Sequence, residues 1–284
     1  MKLGMNEATA LEKSSLEKDL ELCEKYKYDY IEIRTMDSLP NYLKKHSIDD
    51  LAEYFKTHKV KPLAFNTLCF FNNRTPEEYQ KVLDELKYMC EVGNKIGCNT
   101  IITVPTVDLK KTTRTQIRKS AVKCLSEMAD LAADYNMRLS VEFIGHQAAS
   151  INTFGQAYSI IEEIDKKNLG ITLDCFHFHG MASKIEDLEK ADGQKIFVVH
   201  LNDTEDFQIG VLLDEDRVWP GDGCIKLGKI FRTLKKIGWK EDVVSLELFR
   251  PEYYQMDPDD VYRIGMEKSK SIINKINMIE KGWF

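Results

Sequence analysis

RLSVEFIGHQAASINTFGQAYSIIEEIDKKNLGITLDCF, residues 138–176, reads as a strand, a helix and a second strand. The apolar run Arg138–Ile144 carries Glu142 near its end. An amphipathic stretch, Thr153–Ile164, follows a cap at Asn152 or Thr153, and the apolar run Leu169–Phe176 then carries Asp174 near its end. A crossover helix between two such strands sets them parallel in one sheet.

The same unit recurs in both directions. Strands are predicted at Lys2–Glu7, Tyr30–Arg34, Pro62–Leu68, Thr100–Pro105, Ile196–Asn202 and Val243–Phe249, besides the two above. Helices are predicted at Ser15–Tyr26, Ile48–His58, Pro76–Ile96, Thr115–Tyr135, Ile185–Ala191, Ile225–Ile237 and Pro258–Ile276, with Ser47, Thr75 and Asp257 at helix starts. Eight strands alternating with eight helices fit an α/β fold of the (β/α)8 TIM barrel type, as a single domain over residues 1–284. A doubly wound sheet would offer a glycine-rich phosphate turn, and neither GxGxxG nor GxxxxGK[ST] occurs. No linker or low-complexity tract divides the chain. The step from His200 to Glu247 is 47 residues, against 26 to 38 between earlier strand ends. The excess lies in TEDFQIGVLLDEDRVWPGDG, residues 204–223, a long loop after strand seven where a substrate lid is expected.

Hydrophobic residues make up 43% and charged residues 30%, enough apolar content for a full core at this length. The net charge of −6 argues against a chain built to grip phosphate backbones, so no nucleic-acid partner is expected. Seven cysteines, an odd number without a CxxC pair, suit reduced thiols. The start MKLGMNEATALEK lacks the apolar core of a signal peptide, and no run approaches a membrane span; a cytoplasmic protein with no membrane partner is expected. Homo-oligomerisation is left open: Phe70 and Phe71 suit a subunit contact or the pocket equally well.

Four successive strand ends carry a metal-capable side chain: Glu142 in SVEFIGH, Asp174 in ITLDCFHFH, His200 in FVVHLND and Glu247 in VSLELFR. An unpaired charge within an apolar run costs several kcal/mol, roughly, and adjacent strands of a barrel converge at its C-terminal mouth. Three carboxylates and an imidazole there suit one divalent ion: Mn²⁺, Zn²⁺, Co²⁺ or Mg²⁺. The plainer alternative, four separate acids and bases each satisfied locally, requires the same coincidence four times. His177 stands near enough to bind a substrate oxygen. Arg217 and Trp219 lie in the long loop, where Arg217 either clamps a substrate group or pairs with Asp214 or Asp216. Asn6, Glu7, Glu32, Arg34 and Asn66 end the first three strands and are candidates for the far side of the pocket, while His146 and His179 read as loop histidines.

A divalent ion gripping a carbonyl and a neighbouring hydroxyl acidifies the carbon between them. Glu142 and Glu247, on strands separated by two others, are the natural pair to take a proton from one carbon and return it to the next. That chemistry is aldose–ketose isomerisation or epimerisation through an enediolate.

The Glu–Asp–His–Glu series on strands five to eight resembles the xylose isomerase-like barrel superfamily of sugar isomerases and epimerases, which includes endonuclease IV. The segments YDYIEIRTMDSLPNYL, LDCFHFHGMASKIEDL, NDTEDFQIGVLLDEDRVWPGDG and VSLELFRPEYY bring the likeness closer to the inosose isomerase (2-keto-myo-inositol isomerase) family of bacterial inositol catabolism. The resemblance implies interconversion of 2-keto-myo-inositol (scyllo-inosose) and 1-keto-D-chiro-inositol, a small keto-inositol or keto-sugar. It also implies metal ligation by Glu142, Asp174, His200 and Glu247, proton transfer by both glutamates, and substrate oxygens held by His177 and Arg217. Endonuclease IV relatives add histidines where this chain reads FNTLCFF, ITVPTVD and DEDRVWP, with none, which argues for one metal and against DNA repair. A ketose 3-epimerase, a hydroxypyruvate-type isomerase, an inosose or 3-dehydroshikimate dehydratase and a metal-bound sugar sensor are the competing readings.

Overall fold

The computed structural model describes residues 1–280, so the last four residues of the expected 1–284 span lie outside the described residues. The strands are β1 (Lys2–Asn6), β2 (Tyr30–Arg34), β3 (Lys61–Cys69), β4 (Thr100–Val104), β5 (Arg138–Glu142), β6 (Leu169–Asp174), β7 (Ile196–Leu201), β8 (Asp203–Thr204), β9 (Arg217–Val218) and β10 (Val243–Leu246). Eight of them close into a barrel in the order β1-β10-β7-β6-β5-β4-β3-β2, every neighbouring pair parallel.

Every residue of β4, β6 and β7 is buried, because barrel side chains face either the interior or the surrounding helices. Those runs accordingly carry buried residues on both faces instead of alternating buried and exposed, with Asp174 and His200 among them. The long helices fall where the periodicity places them; the helix expected at Ile185–Ala191 stops at Leu188, and short helices it did not indicate form at Ser38–Tyr42 and Pro251–Tyr254. Ser47 and Thr75 each close a capping box, with Asp50 and Glu78, and Thr153 rather than Asn152 accepts the amide of Gln156.

Three differences from the sequence reading bear on the site. The sixth strand stops at Asp174 instead of Phe176, since the Asp174 side chain accepts the His177 N–H at 2.7 Å and starts a short helix, Cys175–Gly180. Glu7 leaves the first strand for a 3-10 turn, Glu7–Ala10, capped by Asn6. The long loop is a folded flap: β8 and β9 pair antiparallel, Asp203 opposite Val218 and Thr204 opposite Arg217. Asp203 ties down the flap's far end, accepting the amides of Gly221 at 3.0 Å and Ile225 at 2.9 Å. Of the Phe70 and Phe71 pair, Phe71 belongs to the core. Among the described residues no helix is long and apolar enough to cross a membrane.

Candidate metal centre and active site

The barrel's parallel register brings the predicted ligands to one level. Asp174 on β6 is the direct partner of His200 on β7, and His200 pairs in turn with Ser245 on β10, two residues before Glu247. Glu142 ends β5 next to β6. One ligand atom from each of Glu142, Asp174, His200 and Glu247 lies within 4.8 Å of all the others, and all four residues are buried.

The imidazole of His200 stands at the centre. Its Nδ1 lies 2.8 Å from Glu142 Oε1, 3.1 Å from Glu247 Oε2 and 3.6 Å from Asp174 Oδ2. Its other nitrogen, Nε2, meets Glu32 across the barrel at 3.1 and 3.2 Å. Asn6 and Asn66 brace the floor, each donating its amide to Glu247 Oε1, at 2.8 and 3.2 Å, and to Glu32 Oε2 at 3.4 Å. Asn202 donates to Asp174 Oδ2 at 2.7 Å and accepts the Phe176 amide at the same distance.

Arg217 is wholly buried. Its guanidinium reaches Asp174 Oδ2 at 2.7 Å, Glu247 Oε2 at 3.3 Å and Asp214 Oδ1 at 2.7 Å, and touches His177 Nε2 at 3.2 Å. Phe176 and Phe249 lie against it, 4.5 and 5.3 Å from its central carbon to their ring centroids. The sequence reading offered a clamp or a pair with Asp214 or Asp216; the contact with Asp214 forms, and two of the expected metal ligands are added to it.

The electrostatics follow from this crowding. Burial pushes the Glu142 carboxyl up to about 8; the charges of Glu247 and Asp174 add to the rise and His200 opposes it. Burial works against ionisation of Asp174 too, yet Arg217, His177 and His200 hold its carboxyl well below the usual range. For His200 burial disfavours the charged ring, but Glu247, Glu32 and Glu142 drive it well above the ordinary value. Burial lowers His177, whose Nδ1 has no hydrogen-bond partner among the described residues. Four buried carboxylates around one imidazole, with one guanidinium in contact, form a donor set in which negative charge is in excess, suited to a divalent metal ion.

The remaining candidates divide. Asn6 turns toward the cluster, whereas Glu7 accepts the Arg34 amide at 2.7 Å and lies beside Asp19, turned away from the four ligands by the 3-10 twist. Trp219 is buried and stacks on Tyr253 with ring centroids 4.3 Å apart, so it shapes the flap's packing. His146 caps its own loop, and His179 faces Cys224. Sequence reasoning missed Asn202 and Asp203. Their signal was present in HLND, where two polar residues directly follow a buried strand.

Comparison with known proteins agrees with this geometry. The family model described as "Xylose isomerase-like TIM barrel" matches residues 20–272. Proteins named inosose isomerase from Bacillus licheniformis and Bacillus subtilis are 51% and 52% identical over 275 residues, 97% of this chain and 99% of each of theirs. A crystal structure described as IOLI protein with a bound zinc atom superimposes with a TM-score of 0.95 at 51% identity, covering 97% of this chain and 99% of that one. The chain belongs to the xylose isomerase-like TIM barrel family and, within it, to the inosose isomerases.

Proposed function

We propose that this protein interconverts 2-keto-myo-inositol and 1-keto-D-chiro-inositol, with one divalent ion, Zn²⁺, Mn²⁺, Co²⁺ or Mg²⁺, held by Glu142, Asp174, His200 and Glu247. The observation that carries the reading is the pairing of Glu142 and Glu247 on either side of the His200 Nδ1 atom, at 2.8 and 3.1 Å. When bound, the ion supplies Lewis acidity that weakens the C–H bond next to a carbonyl. The protein's own residues do the rest.

One glutamate takes the proton from the carbon bearing the hydroxyl, and the other delivers a proton to the former carbonyl carbon. The hydroxyl proton passes to the former carbonyl oxygen, so the ketone moves one carbon along the ring with no net oxidation. Because the reaction is reversible, the two carboxyls exchange roles with direction. Asn6 and Asn66 hold Glu247 Oε1, which leaves Oε2 directed at the centre. His177, with an unpartnered Nδ1, and Arg217 bind substrate oxygens, while Trp219 supports the flap that excludes water.

The test is to incubate the zinc- or manganese-loaded protein with scyllo-inosose in D₂O and follow the ring protons by NMR. Formation of 1-keto-D-chiro-inositol, with deuterium entering at the exchanging carbons or protium partly retained through a shielded transfer, is the expected result. A dehydrated diketone would replace isomerisation by β-elimination, and binding without turnover would make the site a sensor.

A further inference from the structure

Glu32 enters the site from β2, on the opposite side of the barrel from β5, β6 and β7, and is fully buried. Its two oxygens face one atom, His200 Nε2, with Oε2 hydrogen-bonded to it at 3.2 Å and Oε1 lying 3.1 Å away. Oε1 makes no hydrogen bond among the described residues. Two amides, from Asn6 and Asn66, hold Oε2 from the sides, so the carboxylate cannot swing off the ring without breaking both. The Asn6 side-chain oxygen is taken by the Ala8 amide, and Glu32 Oε2 is the carboxylate oxygen hydrogen-bonded to Nε2.

Neutral imidazole carries one N–H and one lone pair, and the partner of the N–H decides which nitrogen is left to bind a metal. We infer that Glu32 is a positioning residue: it binds the Nε2–H of His200, fixes the ring's tautomer and rotation, and so directs the Nδ1 lone pair at Glu142, Asp174 and Glu247. This rests on the metal site proposed above. The ring lies wholly inside the barrel, with 0% of its side chain exposed, so no water competes for Nε2. Burying a fourth carboxylate here costs stability unless it is paired, and the pair it makes serves the ligand set.

The test uses protein labelled with ¹⁵N-histidine and loaded with Zn²⁺. The ¹⁵N and two-bond ¹H–¹⁵N pattern of His200 should show the proton on Nε2 and the metal on Nδ1. Zinc on Nε2, or a proton on Nδ1, in the wild-type protein overturns the inference without recourse to any variant. In Glu32→Gln and Glu32→Leu, zinc affinity measured against a chromophoric chelator should fall about 10- to 100-fold, the amide variant less than the apolar one because its carbonyl still accepts the N–H. Far-UV circular dichroism reports how much of each variant is folded, and affinity is expressed per folded molecule. A merely structural Glu32 would lower the melting temperature and leave affinity per folded molecule unchanged, which counts against the inference. Failure of the wild type to take up zinc would overturn the metal site itself, an outcome distinct from normal uptake through the wrong nitrogen.

Discussion

Arg217 Nη1 lies 2.7 Å from Asp174 Oδ2, the oxygen that also faces His200 and accepts from Asn202. A guanidinium from the flap therefore rests on one proposed metal ligand and reaches a second, Glu247 Oε2, at 3.3 Å. That contact neutralises carboxylates whose charge a bound metal would need.

Removing that guanidinium should separate the two effects. Arg217→Met is expected to destabilise the metal-free protein by about 3–5 kcal/mol, because Asp174 and Glu247 lose a buried partner. Zinc should recover more melting temperature in this variant than in the wild type, while turnover stays low for want of a substrate clamp. Equal recovery in both proteins, read by differential scanning calorimetry, would show that Arg217 and the ion do not share carboxylates.

The proton-transfer assignment is tested at Glu247. Glu247→Gln should reduce kcat by at least about 100-fold with little change in the barrel's circular dichroism, since general acid–base groups contribute about 10²–10⁴-fold. Glu142→Gln should fall by a similar factor. Near-normal isomerisation by either variant, once zinc loading is matched, removes that residue from proton transfer.

Chelation should expose the metal's share of stability. An ion present at a hundred times its dissociation constant adds about 2.7 kcal/mol to the native state, which for a chain of this size is worth roughly 4–5 °C of melting temperature. EDTA treatment followed by stepwise zinc addition should trace that shift. A melting temperature indifferent to zinc would contradict a resident ion.

Away from the centre, Glu7 and Asp19 form a second buried acid pair. Burial raises both carboxyls, Asp19 to about 7, and the Asp19 charge raises Glu7 further. An acid whose native pKa lies above its unfolded value keeps its proton on folding. Its contribution is complete below about pH 4 and is lost as pH rises through about 7. Asp19→Asn should thus gain melting temperature over the wild type by several degrees between pH 5 and pH 8, with the advantage growing as pH rises. A difference that is flat or shrinks with pH would remove the pair from the pH dependence of stability.

The flap's anchor gives a further check. Asp203→Ala leaves the amides of Gly221 and Ile225 without their acceptor and should cost about 1–3 kcal/mol. Limited proteolysis should then cut within residues 205–222 well before it cuts the barrel, and kcat/KM should fall with Arg217 no longer held. A flap as resistant as the wild type would assign its rigidity to the β8–β9 ladder and the Arg217–Asp214 pair instead.

The eight strands and the Glu142, Asp174, His200 and Glu247 set were legible because both follow from local rules. Buried strands are short apolar runs, and a charged residue at the end of one must find a partner. What escaped were relations set by side-chain direction at strand ends. Asn6 and Glu7 are neighbours in sequence, yet one faces the centre and the other Asp19, and no periodicity distinguishes them where the strand gives way to a 3-10 turn. Glu32 was visible as a pocket candidate, but its contact with His200 joins residues 168 positions apart across a closed barrel. Cys175 and Phe176 continue the apolar run of β6 in composition, and only the cap made by Asp174 ends the strand before them.

The ladder of Asp203 and Thr204 with Val218 and Arg217 works like a clasp at the neck of a pouch. Residues 205–216 lie beyond it, with Phe207, Ile209, Val211 and Leu213 turned outward. Two residues of the pouch still reach inward: Asp214 holds the Arg217 guanidinium at 2.7 Å, and Leu212 is buried in the core. A pouch that keeps Asp214 and Leu212 is thus a replaceable module: grafting one from a relative onto this neck offers a route to altered sugar preference that leaves Glu142, Asp174, His200 and Glu247 in place.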